Sequence, residues 1–201
     1  MADRIGTEIA GYRIDAVLGR GGMGEVYLAT HLGLDRKVAL KVLAPHLASD
    51  EQFRERFVRE SRVAASVDHP NVIPIYEAGE SDGELFIAMR YVEGTDLRAV
   101  LHQEGGLDDS RVIQIIRQVA GALDSAHAHG LVHRDVKPGN VLIAVREGSQ
   151  AGEHVYLSDF GLTKLAASDS GVTGTGQFVG TVDYASPEQF EGKPLDARSD
   201  I

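Results

Sequence analysis

The sequence predicts an α+β fold in two lobes, the first β-rich with one main helix and the second mainly helical. Three observations carry this. Between Tyr12 and Ala44, short segments of mixed apolar and polar residues are separated by glycine-bearing turns, as in antiparallel strands. From Asp96 to Gly130 the apolar residues recur at helical spacing instead. Between these regions, Arg90–Asp96 reads as a hinge.

Taken in order, "YRIDAVLG", "GEVYLATHL" and "RKVALKVLA" are three strands. "SDEQFRERFVRESRVAASV" follows as a helix, with Phe53, Phe57, Val58 and Val63 at helical spacing. Ser49 or Asp50 is its N-cap, and "DHPNV" stops it. "VIPIYEAGE" and "ELFIAMRYV" are two more strands around a Ser-Asp-Gly turn, and "EGTD" is a connector. "DLRAVLHQEG" and "DDSRVIQIIRQVAGALDSAHAHG" are helices, the second with Val112, Ile115, Ile116, Val119 and Leu123 on one face. Short strands return in "NVLIAV" and "HVYLSDFG". Thr163–Gln177, rich in Gly, Ser and Thr without periodicity, reads as a long loop.

The bulk numbers narrow the function. The chain has 201 residues, 43% hydrophobic and 25% charged, which is ordinary for a globular protein with a sizeable core. Its net charge of −10 argues against a nucleic-acid surface. With no cysteine, disulfide and thiolate chemistry are excluded. "MADRIGTEIAGYRID" lacks the apolar run of a signal peptide, and no stretch approaches the ~18 apolar residues of a membrane span. The expected location is cytoplasmic, or the cytoplasmic face of the membrane if a larger protein is anchored there.

Four stretches carry chemistry. "GRGGMGEVYLA" places Gly19, Gly21 and Gly24 in a GxGxxG pattern, able to bring backbone N–H groups close to a polyphosphate. An ordinary glycine-rich hairpin is the bland alternative. Because "EVYLAT" continues as strand, the pattern does not suit a dinucleotide fold. "VALKVL" sets Lys41 in an apolar strand, either as a solvent-facing lysine or as a fixed cation for phosphates. Glu60 is a candidate carboxylate partner, with Glu55 as rival. "HRDVKPGN" holds an acid, Asp135, able to take or orient a hydroxyl proton. Lys137 lies on the same side in extended backbone, and Asn140 offers an oxygen to a divalent cation. "LSDFG" adds Asp159, a turn former or a second oxygen ligand for Mg²⁺. Among the eight histidines, His127 and His129 read as surface or helix-end residues.

The ordered set GxGxxGxV, VALK, a helix Glu, HRDxKxxN, DFG and SPE resembles the eukaryotic-type protein kinases. Lys137 in HRDxKxxN points to the Ser/Thr branch, and "GTVDYASPEQ" with "DARSDI" is most similar to bacterial members. The match runs from Tyr12 to Ile201, with residues 1–11 as an N-terminal extension. The resemblance implies a protein-kinase-like fold: N-lobe 12–89, hinge 90–96, partial C-lobe 97–201 and activation segment 159–188. It also implies ATP- and Mg²⁺-dependent transfer of the γ-phosphoryl group to Ser or Thr of protein substrates, with Mn²⁺ as an alternative metal and self-association through kinase domains as an option.

Residue by residue, the resemblance assigns Gly19, Gly21 and Gly24 to the ATP phosphates. Val26 and Ala39 go above adenine and Leu142 below it. Lys41, paired with Glu60, goes to the α- and β-phosphates. Met89 takes the gatekeeper position, backbone groups of Arg90 and Val92 the adenine edge, and Asp96 the ribose. Asp135 is implied as the catalytic base, Lys137 as its companion at the phosphate, and Asn140 and Asp159 as metal ligands. Arg134 implies control by phosphorylation of the activation loop, at Thr173 and Thr175, while Thr181 would bond Asp135 and Lys137.

There are departures. Arg90 replaces the usual Glu, and "SPE" the commoner Ala-Pro-Glu; "AVREGSQAGEHVYL" is longer than the usual turn. Resembling chains continue past "DARSDI" into further helices, so the C-lobe is expected to be truncated, with an apolar patch on "VIQIIRQVAGAL". Asp200 would brace the "HRD" backbone, and Glu188 would pair with an Arg beyond Ile201. The competing expectation is a catalytically impaired nucleotide-binding module of kinase origin.

Overall fold

The β-branched and apolar alternation of the first ninety residues produces a six-stranded antiparallel sheet in the order β1-β2-β3-β4-β6-β5. In the computed structural model, which describes residues 4–145, 153–160 and 182–201, its strands are β1 (Glu8–Ile9), β2 (Tyr12–Gly21), β3 (Gly24–His31), β4 (Arg36–Leu43), β5 (Ile75–Ser81) and β6 (Glu84–Arg90). Period-two alternation splits β4 between two faces. Val38, Leu40 and Val42 join Tyr12, Ile14, Tyr27, Phe86 and Ala88 in one buried cluster. Ala39 and Lys41 turn to the other face. The β5–β6 hairpin closes through Asp82 (φ +51°) and Gly83 (φ +80°), the paired left-handed conformations of a two-residue turn.

Two helices lie between β4 and β5: a single turn, α1 (Pro45–Ala48), and α2 (Glu51–Ser66). Asp50 caps α2, its Oδ1 accepting from the N–H of Gln52 at 3.0 Å and of Phe53 at 3.3 Å. Ser49 closes α1 instead, donating its hydroxyl to His46 O. The buried stripe of α2 is Phe53, Phe57, Ser61 and Ala64. Val58 and Val63, expected in that stripe, are only half-buried, because the i, i+4, i+8, i+11 row runs beside them.

The chain divides into two compact units, Met1–Ala65 with Pro74–Tyr91, and Ser66–Ile73 with Val92–Ile201. The second contains α3 (Leu97–Glu104), α4 (Asp109–Ala128), α5 (Pro187–Phe190), and a three-stranded sheet of β7 (Gly94–Asp96), β8 (Val141–Ala144) and β9 (His154–Leu157). Gly94–Asp96, expected as part of a connector, is therefore a strand. Asp96 then caps α3, accepting from Ala99 N at 2.8 Å. Val72, expected to open a strand of the first unit, instead bridges to Leu157 of the second. There, Leu157 N donates to Asn71 O at 2.7 Å, and Ile73 N to Leu157 O at 3.0 Å.

Helix α4 buries Ile115, Val119, Ala122, Leu123 and Ala126. Val112 and Ile116, expected on that stripe, are 40% and 57% exposed and lie beside Ile113, also 57% exposed. The buried row is centred on Ile115, Val119, Ala122 and Ala126, which leaves an apolar patch at the start of the helix, as expected from the sequence. Among the described residues, no helix is long and apolar enough to cross a membrane.

Candidate active site

The first unit holds one group of candidate residues on a shared sheet face. Cα partners across antiparallel strands point to the same side. The register pairs Val26 with Lys41, and Ala39 with both Leu28 and Met89. Val26, Ala39, Lys41 and Met89 thus share the face opposite the buried cluster, with Ala39 and Met89 themselves buried. Glu60 is half-buried beside the packed row of α2, whereas its rival Glu55 is exposed. Arg90 N donates to Pro74 O at 2.9 Å and the Arg90 side chain is exposed, so the unusual residue there leaves the pairing intact.

The three glycines of the β2–β3 hairpin have different reasons to be glycine. Gly24 has φ +139°, and a Cβ there would sit 2.1 Å from Val42 O, so the β3–β4 pairing itself requires it. At Gly19 and Gly21 a Cβ would meet nothing within 4 Å. Internal packing does not explain those two.

The second unit holds the other group around residues 133–140. His133 is fully buried, and its ring packs on Phe160 with centroids 4.7 Å apart. Burial pushes the pKa of this imidazole down, against an opposing pull from Asp200, so the ring is neutral. Its two nitrogens then have distinct roles: Nε2–H donates to Ser158 O at 2.9 Å, and Nδ1 accepts from Asp135 N at 3.3 Å. Asp200, whose side chain has 0% exposure, lies beneath the same loop. It accepts from His133 N and His127 Nε2, both at 2.7 Å, and from Arg134 N at 2.6 Å. Asp200 thus braces this loop, and His127, read from sequence as a surface or helix-end residue, is one of its ligands. The helix-end position is as read, since His127 sits in the last turn of α4; what no local pattern announces is its bond to Asp200, 73 positions away in sequence.

On that support the polar side chains converge. Lys137 Nζ lies 2.9 Å from Asp135 Oδ2. Asn140, in the turn Pro138–Asn140, donates its amide to Asp135 O at 2.8 Å and to Asp135 Oδ2 at 3.2 Å. Since β8 and β9 pair Val141 with Leu157, Asn140 falls opposite Ser158, whose N–H donates to Asn140 O at 2.9 Å. Asp159 is the next residue, in the left-handed region at φ +59°. The structure therefore brings Asp135, Lys137, Asn140 and Asp159 to one end of the small sheet. Leu142 and Asp96 are Cα partners across β7–β8 in the same sheet, the Asp96 carboxylate capping α3; Val92 lies just before β7, half-buried. Thr173, Thr175 and Thr181 lie outside the described residues.

Sequence reasoning missed two groups. Gln189 donates to Arg134 O at 2.7 Å; the S-x-x-Q spacing announces a capping box, but not that reach. Gln118 accepts from Asn71 Nδ2 at 2.8 Å and from Val155 N at 2.9 Å, tying residues 66–73 to α4 and β9, and no local pattern marks it. Glu188, for which an Arg partner beyond Ile201 is expected, accepts within this chain from Ser199 Oγ at 2.5 Å, and this bond holds its carboxyl below the usual range.

A loop with a carboxylate, lysine and asparagine locked together, beside a second acid at a strand end, is the arrangement expected of a protein kinase domain. The chain belongs to that family: the protein kinase domain model matches residues 12–201. It is 44% identical over 198 residues to the serine/threonine-protein kinase PknD of Mycobacterium tuberculosis, covering 98% of this chain and 29% of that protein. It is 45% identical over 196 residues to PknJ of Mycobacterium bovis, covering 98% and 33%. A crystal structure of the Mycobacterium tuberculosis PknI kinase domain superposes with a TM-score of 0.78 at 38% identity, over 99% of this chain and 73% of that one. The chain spans about a third of the length of the curated relatives it matches.

Proposed function

We propose that this chain carries the catalytic residues of an ATP-dependent serine/threonine protein kinase acting on protein substrates. The observation that carries the reading is the bond set around Asp135: Lys137 at 2.9 Å and Asn140 on both its carbonyl and its carboxylate. Asp135 takes the proton of a substrate hydroxyl as that oxygen bonds the γ-phosphorus. The bond from the γ-phosphorus to the β–γ bridging oxygen breaks, and ADP leaves with the electron pair. Lys137 sits beside the reacting hydroxyl and offsets charge on the phosphoryl group. In this reading Lys41, with Glu60, holds the α- and β-phosphates. Val26, Ala39, Met89 and Leu142 line the adenine position, and backbone groups of Arg90 and Val92 meet its edge. Asp96 lies toward the ribose.

The donor chemistry fits Mg²⁺. Among the described residues no group of three or more His, Cys, Asp or Glu side chains gathers as a metal cage. One carboxylate, Asp159, and the Asn140 amide oxygen instead suit an ion that completes its shell with water and substrate phosphates. Bound there, Mg²⁺ or Mn²⁺ would neutralise phosphate charge. A cytoplasmic location, or the cytoplasmic face of a membrane if a larger protein is anchored there, fits a domain that draws on ATP.

The test is γ-phosphate transfer from ATP to a basic test protein in the presence of Mg²⁺. ATP binding without any transfer would sink the catalytic reading and leave a nucleotide-binding module. The glycines give a second check. Gly24→Ala is expected to destabilise the protein by about 1–3 kcal/mol from backbone strain alone, seen in urea unfolding. Gly21→Ala should leave the unfolding midpoint nearly unchanged and raise the KM for ATP, because what approaches Gly21 is the ligand. An unaltered KM would remove Gly21 from the phosphate site.

Regulation follows from the same reading. Phosphate on Thr173 or Thr175 adds about −1.5 to −2 charges, which Arg134 can meet. Mapping an active preparation should find both threonines modified, and an active but unmodified protein would dismiss the switch.

A further inference from the structure

Arg134 immediately precedes Asp135 and holds φ +66°, a conformation disfavoured for any residue with a Cβ. Its backbone is gripped on both sides. The N–H donates to Asp200 Oδ1 at 2.6 Å, and the C=O accepts from Gln189 Nε2 at 2.7 Å. That carbonyl belongs to the peptide group whose nitrogen is Asp135's own, and this N–H donates to His133 Nδ1 at 3.3 Å. Gln189 is itself fixed, its Oε1 accepting from Ser186 N at 2.9 Å at the start of α5.

We propose that Gln189 is a positioning residue for phosphoryl transfer: its amide clamps the Arg134–Asp135 peptide and so sets the direction of the Asp135 carboxylate. Gln189 touches no reacting atom. The inference rests on Asp135 being the catalytic base. The residue type matters because an amide carries a donor and an acceptor at one terminus, one for Arg134 O and one for Ser186 N. Glutamate has the same shape, but when ionised it sets an acceptor against the Arg134 carbonyl; protonation restores a donor.

The experiment compares wild type, Gln189→Ala, Gln189→Glu and Ser199→Ala. Each is measured for kcat, for the KM for ATP, and for amide hydrogen exchange at residues 133–136. Gln189→Ala is expected to lower kcat about five- to tenfold, the worth of one hydrogen bond, with the KM for ATP nearly unchanged. Gln189→Glu should show the same loss near about pH 8 and regain part of it as the pH falls toward about 5.5, because a carboxylate set against the Arg134 carbonyl takes up a proton more readily than an ordinary Glu, whose pKa is about 4.3. Exchange at the Asp135 amide should quicken about tenfold in Gln189→Ala. Ser199→Ala removes the neighbouring bond to Glu188 and should leave both kcat and that exchange at wild-type values.

Unchanged kcat in Gln189→Ala overturns the proposal, as do equal losses in Gln189→Ala and Ser199→Ala, or a Glu variant that regains nothing at the lower pH. In a preparation without turnover the exchange decides, and wild-type exchange at Asp135 in Gln189→Ala overturns it. Full transfer by Asp135→Asn would instead overturn the reading of Asp135 as base, a result the exchange measurement does not share.

Discussion

Asp135→Asn should lower γ-phosphoryl transfer by about 10²–10⁴-fold, the usual contribution of a positioned general base, with ATP binding little changed. The substitution keeps the size of the side chain. It also keeps one oxygen to accept from Lys137 and Asn140, which hold Asp135 Oδ2 at 2.9 and 3.2 Å in the native loop. What it removes is the ability to accept a proton. Labelled phosphate transfer to a basic protein measures the rate, and titration with ATP measures binding. Transfer within tenfold of wild type would show that Asp135 orients the loop without taking the proton.

Asp200→Ala should have the largest effect on stability, about 3–5 kcal/mol, because it leaves buried donors without their acceptor. Those donors are His133 N, Arg134 N and His127 Nε2, all within 2.7 Å of a carboxylate with no solvent exposure. Against a typical domain stability of about 5–15 kcal/mol, that is a large share. Asp200→Asn, which keeps one oxygen acceptor, should lose less. Transfer should fall in both variants, since the left-handed backbone of Arg134 is no longer held from below. Urea unfolding of the three proteins gives the comparison. A loss below about 1 kcal/mol in Asp200→Ala would mean that another acceptor takes over these donors.

The elements and the reactive types were legible because both are local. Alternation in "RKVALKVL" and turn residues at Asp82–Gly83 specify strands and hairpin without reference to the rest of the chain. The spacing of "HRDVKPGN" likewise places Asp135 and Lys137 on one side of an extended backbone, and the structure shows them joined. Helix faces were less legible. In α4 the apolar residues cover more than half the circumference, so periodicity alone does not say that Ile115 and Ala122 are buried while Ile116 is exposed. Which residues turn inward depends on what packs against them.

The long-range supports were hidden for a related reason. Arg134 and Gln189 are 55 positions apart, and His133 and Asp200 are 67 apart. Whether a side chain reaches a backbone group over such a separation is set by packing, not by neighbours in sequence. The sequence by itself determined which chemical groups are present, their order, and the strands and helices that carry them. Only the tertiary structure decided that Asp200, itself bonded to His127, and Gln189 hold the Arg134 backbone in a conformation it would not adopt alone, because that strain is balanced by hydrogen bonds from distant parts of the chain.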